Sequence, residues 1–360
     1  MIRKNNLHTP TCIVLSSILI ILTNTACAPS VRSSTNKANQ PATTSKFLNP
    51  VLNQDFADPT AIRAVDGYYY AYATNTRSKD GKMINMQVAK SKDLVIWETL
   101  GDALPQRPTW ANKDYWAPHV SYDNKTKKYY MYYSGESLSD SIGKCLGVAI
   151  SDSPAGPFVD KGSPLLCGET FVNIDPMAFD DPVTGKKLLY WGSAFKPIKV
   201  QELDDDRINF KAGSAPSDVV HPVINSDPSN YQKLIEGAWL VYRNKYYYLY
   251  FSGDNCCGER AHYAVMVARS KSALGPFESK LEGVSGKHTV ILEKNTKWIA
   301  PGHNSIVDDA IGHDWIVYHA IDSSNRKGGR VMLIDKIVYK EGWPSVGNGT
   351  PSVDSTQSPF

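Results

Sequence analysis

YYYAYAT (68–74), YYMYYS (129–134), LLYWGS (188–193), YYYLYFS (246–252) and WIVYHA (315–320) are five versions of one aromatic strand. Their last residues, Thr74, Ser134, Ser193, Ser252 and Ala320, follow one another at intervals of 60, 59, 59 and 68 residues. Rings and β-branched side chains at this density favour strands. Moving 16 to 18 residues upstream of each strand end brings a second short segment: ADPTAI at Asp58, WAPHVS at Ala117, IDPMAF at Asp175, IEGAWLV at Glu236 and GHNSIV at His303. Turn signals at Asp66-Gly67, Asp123-Asn124, Pro182 to Gly185 and Arg243-Asn244 separate the two segments. Downstream, AKSKDLVIW (89–97), AISDSPAGPF (149–158) and ARSKSALGPF (268–277) form a third recurring pattern. Several short antiparallel strands repeated five times predict an all-β, five-bladed β-propeller over residues 47–350. A β-sandwich has no reason to repeat its turn spacing.

In a propeller the first strand of each blade lines the central channel, so the aligned residues Asp58, Ala117, Asp175, Glu236 and His303 are expected to face one another. Three carboxylates at one repeat position repel unless they are used, and such clusters drive pKa values apart. Paired carboxylates are the chemistry of glycoside hydrolysis: one protonates the leaving oxygen, and the other activates water or attacks the sugar. A third can raise the pKa of the acid. Spacing alone does not say which acid does which task.

Composition agrees with a soluble, sugar-handling chain. Of 360 residues, 42% are apolar and 21% charged, and the 20 Tyr and 8 Trp supply polar-tipped rings of the kind sugar clefts use. A net charge of +3 from 39 basic and 36 acidic residues is far from the basic patch that nucleic acid requires. Residues 1–26 read as an export signal, with Arg3 and Lys4 ahead of an apolar run from Cys12 to Leu22 that is too short to span a bilayer. Cys27 after Ala26 resembles a lipoprotein box, although Asn24 stands where that motif prefers an apolar residue; a lipid anchor there is the expected membrane link. Residues 27–46 read as a Ser, Thr, Asn and Pro-rich linker, and 351–360 as a C-terminal tail. Without CxxC spacing a zinc site is not expected. Cys145 with Cys167, and Cys256 with Cys257, are available to bridge, and the sequence leaves their pairing open.

At these residues the chain resembles glycoside hydrolase family 43, the five-bladed propellers acting on arabinan, arabinoxylan and xylo-oligosaccharides. The matching motifs are Asp58-Pro59 before GYYYAYAT, WAP (116–118), IDPMAF (174–179), EGAW (236–239), GHNS (302–305) and EGWP (341–344). The resemblance implies Asp58 as general base, Asp175 as pKa modulator and Glu236 as general acid. It also implies inversion, with carboxyl groups roughly 6.5–9.5 Å apart to admit a water. It makes His303 the axial histidine at a central cation, calcium in arabinan-degrading members, held largely through waters. No organic cofactor is implied. Trp116 is then a stacking platform, Ser193 and Phe195 in WGSAF line the cleft, and Arg330 in GGRVML grips hydroxyls of a terminal sugar, which favours a pocket for a chain end. Two departures from the family pattern, His119 in WAPHV and the NCCG insert (255–258), are expected to alter the cleft rim. His319 reads as packing.

The expectation is an exported, inverting hydrolase of α-1,5-linked arabinofuranosyl bonds acting on plant cell-wall arabinan or arabinoxylan, with endo and exo action both open. A β-xylosidase of the same fold is the first rival and a non-catalytic sugar-binding propeller the second.

Overall fold

The computed structural model describes residues 46–280 and 289–359. The signal peptide, Cys27 and all of the linker except Lys46 lie outside the described residues. Five antiparallel meanders follow one another along the chain. Blade 1 comprises Thr60–Arg63, Tyr69–Ala73, Gln87–Ser91 and Trp97–Asp102; blade 2, Ala111–Asp123, Lys128–Ser137, Lys144–Ser151 and two short outer strands, Val159–Asp160 and Leu166–Cys167. Blade 3 is Met177–Asp180, Lys187–Trp191, Ile198–Glu202 and Ser217–Val220; blade 4, Glu236–Arg243, Tyr246–Asn255, His262–Ser270 and Thr289–Leu292; blade 5, Trp298–Asp308, Asp314–Asp322, Val331–Lys340 and Trp343–Val346. The inner strands touch in sequence order, and the last touches the first, closing a five-bladed propeller.

The repeated aromatic strand is the second strand of each blade, and its composition follows from being buried on both faces, which removes the usual polar alternation. Tyr70 and Tyr72 pack with Tyr129, Met131 and Tyr133 of blade 2. The alternate residues Tyr69 and Ala71 pack with Val317, Met332 and Ile334 of blade 5. Blade 2 repeats the division, turning Tyr130 and Tyr132 toward Leu189 and Trp191 of blade 3. Tyrosine outnumbers phenylalanine because many ring tips must find a partner at the blade margin. Tyr132 Oη donates to the Arg207 carbonyl (2.8 Å), Tyr247 to Asp181 (2.5 Å) and Tyr318 to Asp335 (2.6 Å).

The ring is fastened where the chain ends meet. Lys46–Phe47 pairs with Thr356–Gln357, and Leu52 bridges to Met332 of blade 5. Asn49 donates to the Ile334 carbonyl and to Ser352 Oγ. The stretch read as a tail therefore contributes a strand and a clasp. Cys145 is bonded to Cys167 within blade 2, and Cys256 to Cys257 at the end of the second strand of blade 4.

Candidate active site

Each inner strand carries, in it or two residues ahead of it, an axial residue in the left-handed backbone region: Asp58 (φ 56°), Ala117 (47°), Asp175 (57°), Gly237 (63°) and His303 (46°). This conformation is unfavourable for residues with a Cβ and persists only where surrounding contacts hold it. Here the preceding blade does so. The terminal hydroxyl of its aromatic strand accepts the N–H of the axial residue: Thr74 from Ala117 (3.0 Å), Ser134 from Asp175 (3.0 Å) and Ser252 from His303 (2.8 Å).

The same geometry corrects one alignment made from sequence. Glu236 pairs with Ser252 as Trp116 pairs with Ser134, so the repeat-equivalent of Asp58 and Asp175 is Gly237, and Glu236 lies one residue earlier. The reason is local: a Cβ at 237 would sit 3.3 Å from His303 Nδ1. The acid comes instead from the adjacent position, and Glu236 still lines the same cleft as Asp58 and Asp175.

Asp58 is buried and surrounded by donors. Arg330 Nη1 approaches its Oδ1 at 2.8 Å, Thr74 Oγ1 donates to Oδ2 at 2.5 Å, and His303 Nδ1 lies 3.4 Å from Oδ1. Burial opposes its ionisation, but the Arg330 cation first, with His303 adding to it, outweighs burial and holds the carboxyl well below its ordinary range. Glu236 is the opposite case. Burial pushes it up to about 7, against hydrogen bonds from Ser193 (2.6 Å) and Tyr263 (2.9 Å), with the Asp58 charge adding to the rise. Asp175 is also raised, by burial and then by Glu236 and Asp58, while the Gly237 N–H at 3.0 Å opposes the rise. The family resemblance makes Asp175 a pKa modulator; in the structure burial is the largest cause of the raised pKa of Glu236, and the Asp175 carboxyl is itself pushed well up.

The three acids and His303 line a cleft of about 1010 Å³, with Trp116, Phe171, Phe195, Arg330 and the Cys256–Cys257 pair around it. A profile described as Glycosyl hydrolases family 43 matches residues 47–344, which span all five blades. The chain belongs to family 43. It is 32% identical over 310 residues to an extracellular endo-α-(1→5)-L-arabinanase of Bacillus subtilis, covering 81% of this chain and 88% of that one. Against an extracellular exo-α-(1→5)-L-arabinofuranosidase of Cellvibrio japonicus the identity is 26%, over 81% of this chain and 86% of the relative. A crystal structure of a thermostable family-43 glycoside hydrolase superposes with a TM-score of 0.71 at 25% identity, covering 87% of this chain and 99% of the other.

Within this family 43 propeller some residues stand where sequence placed them and others do not. Phe195 lines the cleft and is 52% exposed. Trp116 also lines it, but the Lys144 ammonium, clamped by Asp114 and Glu136, lies 3.9 Å from its ring centre and occupies one face. Ser193 is fully buried, so it meets Glu236 and not the cleft. Arg330, read as a stop at the cleft end, is bonded to Asp58 at the axis. His119 is buried on the inner strand of blade 2 against Trp239 and lines the opposite mouth of the channel, away from the cleft rim.

Sequence reasoning missed Thr74 and Tyr263 as carboxylate partners, and His319, whose Nδ1 accepts the Asp58 N–H at 3.1 Å. For Thr74 the signal was present, since it closes an aromatic strand as Ser134 and Ser252 do. His303 turns Nδ1 toward carboxylates already engaged by Arg330, Thr74 and Gly237. Among the described residues no three side chains form a protein-ligated cation site, so a hard cation at His303 would take most of its six to eight oxygens from water, as the family resemblance implies.

Proposed function

We propose that this family 43 protein hydrolyses α-1,5-linked L-arabinofuranosyl bonds of arabinan or arabino-oligosaccharides with inversion. The observation that carries the reading is the divergence of two buried carboxyls in one cleft: Asp58 held ionised beside Arg330, and Glu236 pushed up to about 7. An ionised carboxylate accepts a proton from water as it attacks the sugar, while a carboxyl that keeps its proton near neutrality delivers it to the leaving oxygen. Asp175, bonded to the Gly237 N–H beside Glu236, is raised by burial and by Glu236, so the two carboxyls titrate as a pair that retains a proton. The choice of arabinan rests on the relatives named for it. Export fits the two extracellular relatives and the Cys145–Cys167 bridge, which suits an oxidising compartment; a lipid tether at Cys27 belongs to the same proposal.

The test is hydrolysis of linear arabinan, debranched arabinan and xylobiose, with product sizing and NMR of the newly formed anomeric centre. Arabinan cleavage with inverted configuration is expected. Xylobiose cleavage with arabinan untouched would replace the reading with a β-xylosidase, and binding without cleavage of any substrate would replace it with a sugar-binding propeller.

A further inference from the structure

The hydroxyl prop that supports the axial residues is broken at two places: in blade 3 the Ser193 hydroxyl donates to Glu236 while the Gly237 N–H donates to Asp175, and in blade 5 there is no hydroxyl at all. Thr74, Ser134 and Ser252 close their strands and accept the next blade's N–H, but the corresponding residue of blade 5 is Ala320, which has no hydroxyl. The N–H left to be satisfied is that of Asp58, and it donates to Nδ1 of His319. That ring is fully buried and lies parallel to Tyr263, with centroids 5.8 Å apart and an interplanar angle of 3°. Tyr263 in turn donates to Glu236 Oε1 at 2.9 Å. One imidazole thus holds the backbone of one axial carboxylate and backs the hydroxyl partner of another.

We propose that His319 is a positioning residue that fixes Asp58 relative to Glu236 by accepting the Asp58 N–H at Nδ1. Because Nδ1 accepts, the hydrogen of the neutral ring resides on Nε2. Burial keeps the ring neutral by pushing its pKa down to about 4. Nε2 has no partner among the described residues, and a buried donor left bare is costly. A hydroxyl at 320 would satisfy the Asp58 N–H without that cost, so the ring is retained at a disadvantage to packing. What it adds is reach: a serine at 320 would prop Asp58 alone, whereas the ring also abuts Tyr263 and links the two carboxylates across the channel.

The inference rests on the reading of Asp58 and Glu236 as base and acid, and its test separates the two. His319→Asn places a carbonyl oxygen where Nδ1 stands, His319→Gln carries its amide past that point, and His319→Phe keeps the stacked ring without an acceptor. Each is compared with the wild type on whichever pentoside the wild type cleaves, so failure on arabinan removes the substrate reading and leaves this comparison intact. In Phe and Gln variants kcat is expected to fall about 10- to 100-fold, the scale of a misplacement near 1 Å, with KM changed little; the Asn variant is expected to recover most of kcat. If the Phe variant does not fold, the Asn and Gln pair decides. Hydrogen exchange at the Asp58 amide reads the same bond without substrate, since Pro59 has no amide to mask it: exchange is slow in wild type and Asn, and fast in Gln and Phe. Wild-type kcat in the Gln or Phe variant, an Asn variant as impaired as Gln, or fast exchange in the wild type would each overturn the proposal.

Discussion

Replacing Tyr263 with Phe removes one hydroxyl and keeps the ring stacked on His319, so its effect is confined to Glu236 Oε1, where the hydroxyl donates at 2.9 Å. A hydrogen bond to a charged acceptor is worth about 1.5–3 kcal/mol, and one pH unit corresponds to about 1.36 kcal/mol. The bond stabilises the ionised carboxylate, so its loss favours the protonated form and moves Glu236 upward by about one to two pH units. Since Glu236 begins at about 7 and the Ser193 donor at 2.6 Å remains, the alkaline limb of activity moves to higher pH by that amount. The acidic limb, set by Asp58, stays in place. The assay is the pH dependence of kcat/KM, which reports free-enzyme ionisations. An alkaline limb that stays fixed or moves to lower pH would refute the assignment of Glu236 as the protonated acid, because no other arrangement of these bonds reverses the sign.

Asp58→Asn and Glu236→Gln are each expected to lower turnover by about 10²–10⁴-fold while thermal midpoints change little; a folded variant of either with near-normal turnover removes that residue from the chemistry. Arg330→Met takes away the cation that offsets the burial of Asp58, so the acidic limb rises to higher pH, read in the same profile and contradicted by an unmoved limb. Joint replacement of Cys145 and Cys167 by Ser opens a loop with a sequence separation of 22. Chain entropy then predicts a loss of about 3 kcal/mol, measured by denaturant unfolding; equal midpoints with equal slopes would show that the bridge adds nothing.

The fold was legible because its cause is repetitive. A strand buried on both faces must be apolar throughout, and writing it five times at near-constant spacing leaves only a ring of like blades. Asp58, Asp175 and His303 were legible for the same reason, since each holds the same repeat position relative to the aromatic strand that follows it. Glu236 was found but misregistered, because a glycine displaces the acid by one residue and sequence does not show that a Cβ at 237 would crowd His303. Tyr263 and His319 were out of reach. His319 acts across the boundary between blades 5 and 1, Tyr263 reaches Glu236 from the third strand of the same blade, and each stands within an aromatic or apolar run where packing is the ordinary reading. Arg330 was recognised by motif, yet its partner lies 272 residues away, so its place on Asp58 appears only when the ring closes.

The hydroxyl props have a consequence for exchange of parts among related propellers. Because Thr74 supports Ala117, Ser134 supports Asp175 and Ser252 supports His303, no blade carries the whole support of its own axial residue. The natural module is therefore offset from the blade, running from the second strand of one sheet to the inner strand of the next. A chimaera cut between sheets would sever every such pairing at the junction. One spliced within the hairpin, between the inner strand and the aromatic strand, would transfer each axial residue together with its prop, and recombination among relatives that preserves activity should leave its crossover points there.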